Sequence, residues 1–184
     1  MQRPFRKTPR SFNLIIFLRY LDVNLNFPDK VTLIEVGPWD GFQSEAKIIP
    51  TDLKIEIISC LVNAGIKRIQ VTSFVHPQVV PQMADAEALL QRLPKNKEVT
   101  YSGLALNSMG VERAHSAGLN HIEISISASD AHSRKNSNMT FEQAFENCKM
   151  MVRLAKKYNM HIRAGIQCAF GCVFEGEIAQ EKIL

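Results

Sequence analysis

A chain of 184 residues, 46% hydrophobic and 22% charged, has the make-up of an ordinary globular domain with room for a sizeable core. Its net charge of +4 would suit a nucleic-acid binder, but the excess sits at one end. Residues 1–20 hold Arg3, Arg6, Lys7, Arg10 and Arg19 and no acid; setting those five aside leaves 17 basic against 18 acidic residues. The body therefore gives no basis for binding a phosphate backbone.

Residues 1–30 read as a basic N-terminal extension, disordered or mis-assigned. Its arginines and lack of acids also resemble a mitochondrial transit peptide, although Pro4 and Pro9 interrupt any amphipathic helix there. The longest apolar stretch, residues 12–21, contains Asn13 and Arg19 and has about half the ~20 residues a membrane span needs, so no membrane association is expected. The four cysteines, Cys60, Cys148, Cys168 and Cys172, lack the spacing of a disulfide framework and indicate a reducing compartment. The cytoplasm is the expected location, with the mitochondrion as the alternative. Cys168 and Cys172 are four apart without a second close Cys or His pair, so they read as small buried hydrophobes rather than zinc ligands.

From Val31 short apolar runs alternate with helical patterns. VTLIEV (31–36) predicts a first strand, followed by a turn at GPWDG. A helix opens at Pro50-Thr51, with Leu53, Ile57, Ile58, Leu61 and Val62 on its inner face, and ends at Gly65. Further strands are predicted over 67–74, 99–106, 121–127 and 161–170. Between them lie a helix over 79–92, a short one capped by Asn107, and the longest one capped by Thr140 after a polar loop. The longest helix carries Phe141, Phe145, Cys148, Met151, Leu154, Ala155 and Tyr158 at core spacing. A last helix begins at Ile178.

Such alternation predicts βαβ units and a parallel sheet. No GxGxxG or GxxxxGK[ST] follows a strand, which counts against a doubly wound nucleotide-binding fold. The expected architecture is α/β: residues 31–184 form a (β/α)8 barrel truncated to about its first four and a half βα units, where about 250 residues would be usual. Half a barrel leaves open sheet edges, so a homo-oligomer or a complementary C-terminal half is the expected partner.

In such barrels the chemistry sits on loops at the C-terminal ends of the strands. Here those segments are GPWDGFQSE (37–45), TSFVHP (72–77), ALNSMG (105–110), SASDAHSRKNSN (127–138) and CAFGCVFEG (168–176). Three stretches carry a specific resemblance. EVGPWDGFQSE (35–45) is similar to the EVGPRDGxQ signature of 3-hydroxy-3-methylglutaryl-CoA lyases. TSFVHPQVVPQMADAE (72–87) and CAFGCVFEG resemble the second-strand and fifth-strand segments of the same family. The wider group of metal-dependent aldol and Claisen barrels shares only the first motif.

The resemblance implies divalent-metal-dependent cleavage of a carbon–carbon bond in a 3-hydroxyacyl-CoA thioester, giving acetyl-CoA and a keto acid. It implies an acyl-CoA ligand and Mg²⁺ or Mn²⁺ held by one aspartate and two histidines. Asp40 matches the aspartate. Gln43 matches a site glutamine, and Ser73 and the Ser129–Asn136 segment fall where substrate contacts are expected. Glu35 reads as strand packing or as support for the site.

Two positions depart from the family. Trp39 stands where the family has its catalytic arginine, and an indole offers one neutral N–H and no charge. Gln70 stands where the family has a glutamate. The resemblance places the histidine pair and the catalytic-cysteine loop beyond Leu184. Of the five histidines only His76 and His132 lie on strand-end loops; His115, His121 and His161 should point away. Three readings follow: a lyase impaired in this chain, a catalytically inactive paralogue or half-barrel partner, and a related enzyme with a different substrate.

Overall fold

The computed structural model describes residues 28–184. The expectations for the basic extension and for the apolar stretch thus lie outside the described residues, but for positions 28–30. Residues 33–184 form one compact unit; of the other, residues 1–32, only 28–32 are described, and they hold no helix or strand. Among the described residues no helix is long and apolar enough to cross a membrane.

Four strands lie side by side in chain order: β1 Arg68–Ser73, β2 Thr100–Ala105, β3 His121–Ser127 and β4 His161–Gln167. All three pairings are parallel. A doubly wound sheet would reverse the direction in which it adds strands, whereas this one advances steadily, as a (β/α)8 barrel does. The expected first strand narrows to one residue. Glu35 N donates to Arg68 O at 2.9 Å, and Gln70 N donates to Glu35 O at 2.8 Å. Val31 and Leu33 are exposed, and Gly37-Pro38 turns the chain away. The segment expected to be a turn is instead a helix, α1 Gly37–Gln43. Pro38 sits in its first turn, where a missing N–H is tolerated.

Helix α2, Thr51–Asn63, runs from Pro50 to a left-handed Gly65 at φ 90°. Its inner stripe holds Ile58, as expected, but Leu53 is exposed and Lys54 is buried in its place. The lysine is tolerated because its ammonium is hydrogen-bonded: Lys54 Nζ lies 2.6 Å from Asp85 Oδ1 and 2.5 Å from Gln82 O. Thr51 Oγ1 donates to the second Asp85 oxygen at 2.7 Å. The helix expected over 79–92 is divided, because Pro81 opens a separate 3₁₀ turn, Pro81–Met83, ahead of α3, Ala86–Arg92.

Helix α4, Ser108–Ser116, starts where Asn107 Oδ1 accepts from Gly110 N at 2.8 Å. The polar loop expected before Thr140 contains helix α5, Asp130–Ser137. Its cap is Ser129, Asp130 pairs with Arg134 one turn on, and Asn138 closes it in the left-handed conformation. Helix α6, Phe141–Lys157, begins with the Thr140–Gln143 capping box. Met151 and Ala155 are buried as predicted, while Phe145 is exposed. Toward the C-terminus the predicted helix is only a 3₁₀ turn, Gln180–Lys182. Core residues lie between the sheet and these helices: Ile69 and Val71 cluster with Ile58 and Leu89, and Ile122 and Ile124 with Val111 and Met151.

Candidate functional site

The C-terminal end of β1 carries an irregularity that decides which side chains share a face. Gln70 pairs with Ser102 and Ser73 with Leu104, and the register shifts between Gln70 and Thr72. Ser102 and Leu104 are two apart on β2 and point the same way. Gln70 and Ser73 are three apart, which would put them on opposite faces of a regular strand; the bulge brings them to one. Thr72 turns the other way and donates to Met83 Sδ at 3.7 Å.

Gln70 is 1% exposed and Ser73 0% exposed, yet neither Gln70 Nε2 nor Ser73 Oγ has a partner among the described residues. Buried polar atoms are rarely left so, because each costs about 1–3 kcal/mol. Helix α1 packs on β1 and on the 3₁₀ turn that follows it, which puts it at this same end of the sheet. Its Trp39 holds a third buried, partnerless atom, the indole Nε1.

Asp40, by contrast, is exposed. Gln43 Nε2 donates to Asp40 Oδ1 at 2.9 Å, and Ser44 Oγ to Asp40 O at 3.3 Å. Glu35 holds the entry to the helix, its Oε1 accepting from Gly37 N at 2.6 Å. Among the described residues no three His, Cys, Asp or Glu stand together as a metal would require. Asp40 and Gln43 alone do not make a divalent-cation site.

None of the histidines supplies the deficit. His76 is exposed, with Nδ1 accepting from Gln78 N at 3.3 Å. His132 lies on α5 with a buried, partnerless Nδ1. His115 stacks on Tyr158 with ring centroids 4.0 Å apart. His121 and His161 pair across the first positions of β3 and β4, far along both strands from their C-terminal ends, with centroids 4.5 Å apart. Burial, then the charges of His161 and Arg68, hold His121 below its ordinary value.

At the ends of β3 and β4 the structure joins Ser129 and Cys172, which the sequence had suggested separately as a substrate contact and a small buried hydrophobe, and adds Glu175. Ser129 N donates to Ser127 Oγ at 3.1 Å, while Ser129 Oγ accepts from His132 N and donates to Cys172 Sγ, both at 3.0 Å. Cys172 is buried, as expected, but it is not simply a small hydrophobe: Phe174 N also approaches its sulfur, at 3.4 Å. The Ser129 hydroxyl, outweighing burial, holds this thiol below its ordinary value. Glu175 Oε1 accepts from Ala131 N at 2.7 Å, and that bond keeps its carboxyl low. The segment after β4 is thereby fastened to the start of α5. Ser129 at the head of an unrecognised helix was the available signal.

This end of the sheet therefore offers neutral hydrogen-bonding groups, Trp39, Gln70 and Ser73, beside one exposed carboxylate. It can orient an oxygen-rich ligand, but at positions 39 and 70 it supplies no charge.

Comparison with known proteins agrees with this geometry. The model of the HMGL-like family matches residues 30–184. The mitochondrial hydroxymethylglutaryl-CoA lyase of Rattus norvegicus is 38% identical over 156 residues, 85% of this chain and 48% of that protein. The cytoplasmic 3-hydroxy-3-methylglutaryl-CoA lyase of Danio rerio is 37% identical, over 85% of this chain and 47% of its own length. The crystal structure of the Bacillus subtilis HMG-CoA lyase superposes with TM-score 0.81 at 38% identity, covering 85% of this chain and 53% of that one. An HMG-CoA lyase from Acinetobacter baumannii, in complex with coenzyme A and 3-methylmalate, gives 0.79 at 33% identity, covering 83% and 50%. The chain spans about half the length of the relatives it matches, and on its sequence and its fold alike it belongs to the HMGL-like family.

Proposed function

We propose that this chain forms the N-terminal half of the substrate site of a hydroxymethylglutaryl-CoA lyase-like protein, with a 3-hydroxyacyl-CoA thioester as ligand. The observation that carries the reading is the shared face of Gln70 and Ser73. Both are buried with unmatched polar atoms, at the end of the sheet where α1 brings Trp39, Asp40 and Gln43. Gln43 and Ser73 then serve as substrate contacts. Asp40 is one ligand of a Mg²⁺ or Mn²⁺ ion whose remaining ligands come from outside residues 28–184, whether from a complementary half or from another subunit. A cytoplasmic location is proposed, with the mitochondrion as the alternative; relatives bear both descriptions.

Trp39 favours a second reading, a catalytically inactive relative that binds ligand or partner. A developing enolate needs a charged donor, and losing one costs about 10²–10³ in rate. The full chain is assayed for acetyl-CoA release from 3-hydroxy-3-methylglutaryl-CoA, with and without Mn²⁺ and with a homologous C-terminal half added. Metal-dependent release in any of these conditions supports the lyase reading. Silence in all of them, including with Trp39→Arg, leaves the inactive relative.

A further inference from the structure

A buried thiol that accepts two hydrogen bonds, Cys172, has no part in the proposed reaction. The turn that follows β4 carries two cysteines, Cys168 at φ 57° and Cys172, with Gly171 N donating back to Cys168 O at 3.3 Å. Two backbone hydrogen bonds with Gly176, both 2.7 Å, then fold Cys172 into a narrow hairpin. Its sulfur accepts from Ser129 Oγ and Phe174 N. Cys168, four residues earlier, opens the same turn.

Donors of this kind are matched to a thiolate, because an anionic sulfur accepts hydrogen bonds more strongly than a neutral thiol. Ser129 is also the cap of α5, so the sulfur lies by the positive end of that helix. The charged and titratable groups around it come from three segments. Asp130, His132 and Lys135 are on α5; Glu175 is on the hairpin and bonded to Ala131 N; Lys182 is on the C-terminal 3₁₀ turn. Phe170 and Val173, on either side of Cys172, project into solvent, so a small reagent has a short approach. Cys60 is exposed and Cys148 half-buried, and among the described residues neither accepts a side-chain hydrogen bond.

We propose that Cys172 is a modification site: a hydroperoxide oxidises its thiolate, and Cys168 resolves the product into a disulfide within the hairpin. In the first step the sulfur attacks the distal peroxide oxygen and the O–O bond breaks. Cys172 becomes a sulfenic acid, and the departing alkoxide or hydroxide takes a proton from water. In the second step the Cys168 sulfur displaces the hydroxyl of the sulfenic acid, an S–S bond forms and water leaves. The peroxide is reduced by two electrons and the two thiols are oxidised by two. The Ser129–Cys172 hydrogen bond is lost, which releases the hairpin from the cap of α5.

The test uses the full chain and hydrogen peroxide. Trypsin cuts after Arg163 and Lys182, so both cysteines fall on the single peptide 164–182. Peptide mass is expected to drop by two hydrogens there before any change at Cys60 or Cys148. With Cys168→Ser the sulfenic acid should persist and be trapped by dimedone on Cys172. With Ser129→Ala the oxidation should slow about tenfold at neutral pH, the worth of one hydrogen bond to an anion. Earlier oxidation at Cys60 or Cys148, or no dimedone adduct on Cys172 in the Cys168→Ser chain, overturns the proposal. The wild-type peptide mass decides even if a variant does not fold.

Discussion

Lys54 and Asp85 form an ion pair 2.6 Å long, with the lysine 1% and the aspartate 22% exposed. It joins α2 to the residue preceding α3, behind the end of the sheet where the candidate site lies. Removing one partner leaves the other charge without an answer, so Asp85→Ala is expected to destabilise the fold by about 3–5 kcal/mol. Replacing both together with Lys54→Met and Asp85→Leu should cost much less. Urea unfolding followed by circular dichroism checks this; equal losses for the single and double variants would contradict it.

Trp39 and Gln70 are expected to behave as a compensated exchange. A glutamate at position 70 without a cationic neighbour is a buried lone charge, so Gln70→Glu alone should destabilise by roughly 3 kcal/mol. Adding Trp39→Arg should recover part of that loss, giving a coupling of about 0.5–3 kcal/mol between the two sites. A double-mutant cycle of unfolding free energies measures it, and strict additivity would separate the residues. Where the complementary half is supplied, the double variant should also release acetyl-CoA faster than the wild type.

His121 makes stability depend on pH. Its burial, and next the nearby His161 and Arg68, hold it below the ordinary imidazole value of about 6.5. The folded state therefore binds fewer protons than the unfolded state as the pH falls. The stabilising contribution is complete above 6.5 and is lost as the pH drops through the lower folded value. Melting temperatures taken from about pH 7.5 down to about 5.5 should decline, and His121→Asn should flatten that slope. An unchanged slope in the variant would remove His121 from the account.

Two glycines in helices should respond oppositely to alanine. At Gly110 in α4 a Cβ would lie 2.9 Å from the backbone oxygen of Phe74, which cannot move aside cheaply. Gly110→Ala is expected to destabilise, against the normal helical preference. At Gly41 in α1 nothing lies within 4 Å of an added Cβ. There the substitution should gain about 0.5–1 kcal/mol. Thermal melts of the two variants moving the same way would contradict the packing argument.

Element type was legible wherever one periodicity governed a segment. HIEISIS and the Thr140-capped helix are strand and helix over the predicted residues, because alternation in one and a capping box in the other leave little competition. The misses have local causes. Helix α5 is polar but for Ala131 and owes its form to Ser129, to the Asp130–Arg134 pair and to Asn138 rather than to an apolar stripe. Lys54 inside and Leu53 outside reverse the hydrophobic rule, because Asp85, 31 residues away, provides for the ammonium. The matching of Asp40, Gln43 and Ser73 to site positions came from motif resemblance. The shared face of Gln70 and Ser73 depends on a bulge that no propensity announces.

Glu35 is the narrowest joint of the described fold: two backbone hydrogen bonds to β1, and one carboxylate bond to Gly37, anchor the entry to α1. Beyond these bonds α1 is held by packing on β1 and the 3₁₀ turn rather than by ladder pairing, so it is expected to open locally before the strands do. Amide protons of Gly37–Gln43 should accordingly trade with solvent long before those of Ile122 and Ile124. If they do, Trp39 and Asp40 ride on a latch that opens while the sheet stays shut.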